Sequence, residues 1–523
     1  MHPKGVYTDD EGIESYDSFG FSPQLRVNGF TVPTHVVFGT NAMEHGVNLL
    51  EEISREALVV HGWNAARLDT LLWELEPRGF QLDFLSISSP TPTFEDVADI
   101  VHALESSKMR IVIAVGGGCI IDAVKLAATV MSRNVTGISI KSPGLPVIVC
   151  SIPLLPAGGS EISSYSAIRN NISVERHRKK TLSFTQYFPT VSPDLCIIHP
   201  LSLYRANMVD VNEKILNLMA TCFEIIVDGD AGYMSELLAQ DALRTLVAIF
   251  DKAVTAHDAR LLDREANFDK YFDFTVNDVG ENDPLDPDDG HHRETQFFRR
   301  YGHAFDESVV VDICRLSVSV NSAKVGGGVK LSPMQFLADS LLSTDPDLIT
   351  TDGDQYPSTF GTLVARMFPR YMLGILKWIN DDTEEARQES PEKAYARVSV
   401  NKIAKILGAS EHLAVENKIF DQGTNERNKN NIETFRDQMV KMMQVVDRIL
   451  DRSDRIGPEP TGFSLDEIDE ENHEQINNVR YVVNERDAYE LSVKMGVVCG
   501  KDCIGSKLDP LLIGKILNDI LKV

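Results

Sequence analysis

Residues 111–125 have the sequence Ile111-Val112-Ile113-Ala114-Val115-Gly116-Gly117-Gly118-Cys119-Ile120-Ile121-Asp122-Ala123-Val124-Lys125, in which the hydrophobic period changes across three glycines. The apolar, β-branched run before the glycines is typical of a strand buried on both faces of a parallel sheet. From Ile120 the apolar residues recur at helical spacing, which predicts a helix that begins just after the glycines. Glycine lets a ligand approach the backbone, and the first helical turn exposes N–H groups, so this turn suits a phosphate or pyrophosphate.

A second glycine-rich segment follows another predicted buried strand. That strand covers 145–153 and continues into Leu154-Leu155-Pro156-Ala157-Gly158-Gly159-Ser160-Glu161. A glycine triplet alone also occurs in ordinary strand-to-helix turns. In a parallel sheet, however, the carboxyl ends of the strands meet at one edge, where ligands bind. The sequence therefore predicts two phosphate-binding loops at the same edge.

These motifs resemble those of a known family. Gly-Gly-Gly-x-x-x-Asp-x-x-Lys followed by Pro…Gly-Ser-Glu is similar to the pattern of the iron-containing (group III) alcohol dehydrogenase family. That family includes glycerol dehydrogenases and maleylacetate reductases and is related in fold to dehydroquinate synthase. The resemblance begins at 30–39, and its last recognisable stretch follows Asp487. It implies an N-terminal α/β domain with a parallel sheet that binds a nucleotide, and an all-helical C-terminal domain, with the active site in the cleft between them.

The resemblance implies a nicotinamide nucleotide, NADP or NAD, as cofactor. The residues expected to bind it are Gly116, Gly117, Gly118, Cys119, Asp122, Lys125, Gly159, Ser160 and Lys180. Cys119 replaces the usual serine of the family, and Leu154, Leu155 and Gly158 replace threonines that hydrogen-bond the cofactor. Gly62 stands near the place where an acidic residue would select NAD, and a basic cluster covers 176–180, so we favour NADP. A solvated loop is the alternative interpretation of that cluster.

The family's metal-binding residues have no counterpart in this sequence. In the resembled family, an Asp and a His one helical turn apart and two later histidines hold a divalent metal. The match runs without a gap from His199, where the family has Asp, to Glu224, which the family also has. The four ligand positions are occupied here by Asn217, Thr221, Val329 and Phe360. A divalent cation needs anionic or imidazole donors, so we expect no iron or zinc at this site.

The sequence therefore favours a divergent, metal-independent NAD(P)-dependent oxidoreductase that acts on a small-molecule carbonyl or an activated alkene. A side-chain acid would replace the metal as electrophile, and Lys330 and Tyr301 are the candidates. An ordinary lysine on the cleft rim is the simpler interpretation of Lys330. Two alternatives stay open, namely a non-redox cyclase, isomerase or lyase that reuses the cleft, and a catalytically silent binding subunit.

Composition limits the partners and the location of the protein. The chain of 523 residues is 43% hydrophobic and 24% charged, as in ordinary globular proteins with two or three domains. A net charge of −26 argues against nucleic acid and anionic membranes as partners. Seven scattered cysteines fit reduced thiols, and the N-terminus lacks a signal pattern, so a cytoplasmic location is expected. We expect a small-molecule substrate and, because relatives often dimerise, a possible homodimer.

The chain is predicted to have three parts. They are a polar N-terminal arm (1–28), an α/β nucleotide-binding domain (29–200) and a helical domain (201–523). Acidic insertions in the helical domain are predicted near 277–294, 344–357 and 451–478. Their length and composition are typical of surface excursions.

Overall fold

The structure is a computed structural model of the chain. It describes residues 30–62, 68–87, 92–132, 146–154, 158–174, 180–200, 208–228, 231–266, 307–327, 332–344, 360–380, 391–415, 424–450, 485–498 and 508–521. The predicted arm (1–28), the insertions near 277–294 and 451–478, and all of 344–357 after Thr344 lie outside these residues. These four predictions therefore stay predictions.

A six-stranded parallel sheet lies at the centre of the N-terminal half, with the strand order β1-β8-β5-β4-β2-β3. Its strands are β1 (His35–Phe38), β2 (Glu56–Gly62), β3 (Gln81–Ile87), β4 (Ile111–Gly116), β5 (Ile148–Pro153) and β8 (Leu195–Ile198). In β4, Ile111 lies opposite Ala57 of β2 and Ile148 of β5. The predicted α/β class with a parallel sheet is confirmed.

Helices cover both faces of this sheet. They are α1 (Ala42–Glu51), α2 (Asp69–Leu75), α3 (Phe94–Ser107) and α4 (Gly118–Ser132). Val59 and Ile113 pack with α1 and α2, whereas Leu58 and Val112 face the opposite way and pack with α3 and α4. Successive side chains of a strand point to opposite faces. The continuous apolar run in β4 therefore serves two separate cores.

An antiparallel hairpin, which the sequence analysis did not predict, accompanies the sheet. It consists of β6 (Tyr165–Val174) and β7 (Lys180–Pro189), with Tyr165 opposite Pro189. Both strands contain several β-branched or aromatic residues, which favour strands. The basic cluster at 176–180 is interpreted from the sequence as a solvated loop or a cofactor-binding segment. Its last residue, Lys180, is the first residue of β7.

The second half of the chain is helical in its described part. Its helices are α5 (Met208–Val227), α6 (Tyr233–Ala266), α7 (Glu307–Gly326), α8 (Pro333–Thr344), α9 (Phe360–Ile379), α10 (Pro391–Leu407), α11 (Thr424–Ile449), α12 (Glu485–Val498) and α13 (Pro510–Leu521). They share one apolar core, in which Phe223, Phe368 and Phe435 pack together. None of the helices in the described part of the chain combines the length and apolar character needed to cross a bilayer.

Candidate active site

The first glycine turn joins β4 to α4 at the carboxyl edge of the sheet. The helix already includes Gly118, whereas the sequence predicted a start after the glycines, because the carbonyl of Gly117 accepts the N–H groups of Ile120 (3.1 Å) and Ile121 (3.3 Å). A Cβ on Gly116 would lie 2.6 Å from Cγ1 of Ile120, but a Cβ on Gly117 would meet no atom within 4 Å. The open space beside Gly117 gives a ligand access to the backbone.

Asp122 and Lys125 form a buried ion pair on α4, with Nζ and Oδ1 2.9 Å apart and the lysine side chain 0% exposed. Lys125 Nζ also donates to the carbonyl oxygens of Ser163 (3.3 Å) and Tyr165. Asp122 Oδ2 accepts the N–H of Ala167 (3.0 Å). The pair therefore holds the beginning of β6 against α4. Direct contact of either side chain with a cofactor stays a prediction.

Cys119 lies in the first turn of α4, where it is partly buried. Burial, and secondarily the carboxylate of Asp122, raise the pKa of its thiol to about 11. The thiol is therefore protonated at neutral pH and is a weak nucleophile. It can act as a small polar group, as a serine would at the same position.

The second glycine loop lies beside the first. β5 is hydrogen-bonded to β4 with Pro153 opposite Gly116, and the N–H of Leu154 donates to the carbonyl of Gly116 (3.1 Å). Gly159 has φ = +99°, a left-handed conformation that favours glycine, and Ser160 follows it. The structure thus brings the two predicted loops together at one edge of the sheet.

Two helices of the C-terminal half contact this second loop. Lys324 of α7 is 4% exposed, and its Nζ donates to the carbonyl of Gly158 (3.3 Å) and to Oε1 of Gln335 on α8 (2.6 Å). Asn321, one turn earlier on α7, donates from Nδ2 to Oε1 of Glu161 (2.8 Å). None of these three helical residues is predictable from the sequence, because no local pattern connects them with a loop so distant in the chain.

Two carboxyl groups near these contacts have raised pKa values, namely the buried Glu161 and the partly buried Glu224. Burial raises the pKa of Glu161 to about 7, although Lys214 and the Asn321 hydrogen bond oppose the shift. Oε2 of Glu161 has no hydrogen-bond partner among the described residues. Burial likewise raises the pKa of Glu224 on α5 to about 7, and the N–H of Met334 donates to its Oε1 (3.0 Å). Both groups can gain or lose a proton near neutral pH.

Asn217 and Thr221, at two predicted ligand positions, lie one turn apart on α5. The hydroxyl of Thr221 donates to the carbonyl of Asn217 (2.9 Å). The first turn of α9 packs against this face, because Thr362 donates to Glu213, and a Cβ on Gly361 would lie 2.6 Å from Oε2 of Glu213. The same Cβ would lie 3.2 Å from Nδ2 of Asn217, so little space separates α9 from α5 here.

The two side chains described at these positions are poor ligands for iron or zinc. Asn217 offers a neutral amide and Thr221 a hydroxyl that already donates to the backbone, whereas both metals prefer imidazole, thiolate or carboxylate ligands. Nowhere in the described part of the chain do three or more His, Cys, Asp or Glu side chains form a group that could hold a metal ion.

Several predicted site residues cannot be placed in this arrangement. Lys330, Tyr301 and Val329 lie outside the described residues. Only the backbone of Phe360 and Lys180 is described, and these two residues begin α9 and β7. The roles assigned to these five residues stay predictions.

The similarity to a known family covers the part of the chain that contains both glycine loops. Residues 33–200 match the family described as iron-containing alcohol dehydrogenase. The chain is 22% identical over 227 residues to NADH-dependent butanol dehydrogenase B of Clostridium acetobutylicum, which is 42% of this chain and 56% of that protein. It is 26% identical over 193 residues to an NADPH-dependent aldehyde reductase of Escherichia coli, which is 34% of this chain and 47% of that protein. The matched stretches thus span about half the length of these curated relatives.

Solved structures extend the likeness of fold to the helical half. An iron-containing alcohol dehydrogenase from Thermococcus thioreducens superimposes with a TM-score of 0.56 and 13% identity. The superposition covers 94% of this chain and 99% of that one. At this identity the likeness concerns the fold alone.

Proposed function

We propose that this chain, whose residues 33–200 match the iron-containing alcohol dehydrogenase family, is an NAD(P)-dependent oxidoreductase that acts on a small-molecule carbonyl or activated alkene without a catalytic metal. One observation carries the proposal. Two glycine loops meet at the carboxyl edge of a parallel sheet, and the first has open space beside Gly117 at a helix N-terminus. This edge is where α/β proteins bind nucleotides.

In this proposal the first turn of α4 binds the pyrophosphate of the nucleotide. Its N–H groups and the positive end of the helix dipole offset the phosphate charge. Gly116 and Gly117 let the phosphates approach the backbone, and Gly159 and Ser160 of the second loop bind the neighbouring part of the nucleotide. When bound, a reduced nicotinamide nucleotide supplies the hydride that is added to the substrate. Lys180 and the rest of the basic cluster are proposed to favour NADP.

We propose that the reaction needs no metal, because the amide and hydroxyl of Asn217 and Thr221 are unsuitable ligands. The carbonyl oxygen then takes its proton from a side chain. Lys330 and Tyr301 remain the candidates from the sequence. Glu161 and Glu224 add two carboxyls that can supply protons near neutral pH, since desolvation raises the pKa of each to about 7.

The substrate is proposed to be a small aldehyde or related carbonyl compound. Relatives are named as a butanol dehydrogenase and an aldehyde reductase, which makes butanal a reasonable first probe. The relatives named above include no cyclase, isomerase or lyase, and no contact in the described residues favours a silent binding subunit. We therefore put forward the oxidoreductase alone, and a homodimer stays a prediction.

The proposal is tested by titrating the protein with NADH and NADPH before and after EDTA treatment. We expect saturable nucleotide fluorescence and a higher melting temperature with one or both nucleotides, equal in the two preparations. Binding stabilises the folded state by about 2.7 kcal/mol at a hundredfold excess over Kd. Reduction of butanal should then survive EDTA. No binding of either nucleotide at millimolar concentration would overturn the oxidoreductase, and turnover that EDTA removes and iron restores would overturn metal independence.

Replacing Gly117 with aspartate should weaken nucleotide binding without unfolding the protein. A side chain fits here, since a Cβ would meet no atom within 4 Å, so we expect no change in melting temperature without nucleotide. The carboxylate would repel the phosphates, and Kd should rise at least about tenfold. Gly117→Asn is the matched control of equal size without charge. If both variants bind equally well, the turn does not hold the phosphates.

A further inference from the structure

We propose that Lys324 and Gln335 are positioning residues of the nucleotide-binding loop, so that the affinity for the nucleotide is set partly from the helical half of the molecule. The inference rests on the proposed function. It assigns a role to two side chains that lie outside both glycine motifs.

The contact between Gln335 and the loop depends on a glycine. Gly158 has an exposed backbone, and a Cβ on it would lie 2.9 Å from Nε2 of Gln335. The amide therefore lies directly over the position that a side chain would occupy. Gln335 is itself held by Nζ of Lys324 (2.6 Å), and its N–H donates to the hydroxyl of Ser332 (3.1 Å).

Lys324 acts on the loop through a peptide group. Its Nζ donates to the carbonyl of Gly158, which belongs to the same peptide unit as the N–H of Gly159. A cation bound to the carbonyl oxygen polarises that unit, and the N–H becomes a stronger donor toward an anion. The buried ammonium also attracts an anionic ligand directly, since a buried charge is poorly screened.

The cost of burying the lysine supports a role beyond packing. The ammonium group of a lysine that is 4% exposed loses hydration, and an apolar side chain of similar volume often stabilises such a site better. Here the charge lies against the backbone of the loop. Asn321 holds the other end of the loop through Glu161, so one face of α7 contacts both ends.

The test compares Lys324→Met with Lys402→Met. Lys402 is a lysine that contacts a buried carboxylate, because its Nζ lies 2.5 Å from Oε1 of Glu236, but this contact joins α10 to α6. Kd for NADPH and NADH is measured by nucleotide fluorescence, and the melting temperature is measured without nucleotide. We expect both variants to melt earlier. Only Lys324→Met should raise Kd, by about tenfold, as for a lost charge-assisted hydrogen bond, while Lys402→Met stays within about twofold of the wild type.

Gln335 provides a second, independent variant. Gln335→Leu removes the side-chain acceptor of Lys324 and should raise Kd about threefold, whereas Gln335→Glu keeps an acceptor and should bind more tightly than Gln335→Leu. The double variant Lys324→Met with Gln335→Leu should bind no more weakly than Lys324→Met alone, because the two residues act together. If Lys324→Met does not fold, the Kd values of Gln335→Leu and Gln335→Glu test the positioning role by themselves.

The outcomes separate this inference from the proposed function. If the wild type binds a nucleotide and Lys324→Met and Gln335→Leu bind it equally well, the positioning role is wrong and the oxidoreductase stands. If Lys402→Met loses as much affinity as Lys324→Met, the effect is general destabilisation and the inference is again wrong. If the wild type binds neither nucleotide, the proposed function itself fails.

Discussion

Replacing Lys125 with methionine is expected to lower the free energy of unfolding by about 3 to 5 kcal/mol, as for other buried ion pairs that lose one partner. The side chain is 0% exposed, and its removal leaves the carboxylate of Asp122 buried without its cation. It also removes donors from the carbonyls of Ser163 and Tyr165 at the beginning of β6. Urea unfolding followed by circular dichroism measures the loss.

Two controls separate burial from charge. Arg315→Met removes an ion pair with Asp312 that is 54% exposed on the arginine side, and it should change stability by less than about 1 kcal/mol. The double variant Lys125→Met with Asp122→Asn should recover part of the loss, because no unpaired charge remains buried. If Lys125→Met is no more costly than Arg315→Met, the buried pair does not hold β6 to α4.

Raising the pH from 5 to 8 is expected to destabilise the protein through Glu161 and Glu224. Burial raises the pKa of both from 4.5 to about 7 in the folded state. As the pH passes 4.5, the unfolded chain loses these protons while the folded chain keeps them, so the free energy of unfolding falls until the pH exceeds about 7. Each group contributes on the order of 3 kcal/mol over the whole interval.

The matched variant for this experiment is Glu161→Gln with Glu224→Gln, which cannot titrate. Urea unfolding at pH 5, 6, 7 and 8 should show a falling stability for the wild type and a much flatter profile for the variant. His199 works in the opposite direction, because burial lowers the pKa of its imidazole below 6.5, so stability rises as the pH approaches 6.5 from below and levels off above it. A variant that keeps the full wild-type slope would contradict the assignment.

The first glycine turn could be predicted from sequence because its signal is local. The apolar run, the three glycines and the helical spacing after them lie within 111–132, and both the strand and the helix formed as expected. The sequence predicted that α4 begins after Gly118, which was assigned to the turn. In the structure the carbonyl of Gly117 already accepts the first hydrogen bonds of the helix. Local backbone hydrogen bonding decides such boundaries, and composition does not reveal it.

The contacts of the helical half could not be predicted in the same way. Lys324 reaches Gly158 across 166 positions of the chain, and no periodicity or spacing in the sequence connects them. Lys330 was instead the lysine predicted from the sequence, because the resemblance puts it next to the predicted cleft. Asp122 and Lys125 show a related difficulty, since a motif identifies them but only the fold reveals their contacts with β6.

The position of β1 in the sheet has a consequence for synthesis of the protein. β1 lies at the edge and pairs with β8, with His35 opposite Leu195, and β8 also pairs with β5 through Cys150. A nascent chain emerges from the ribosome N-terminus first. β1 and the free edge of β5 therefore cannot pair until β8, which begins at Leu195, has been synthesised. Unpaired strand edges attract other strands. A pause in translation before β8 is therefore expected to favour aggregation, whereas a pause after β8 lets the sheet close.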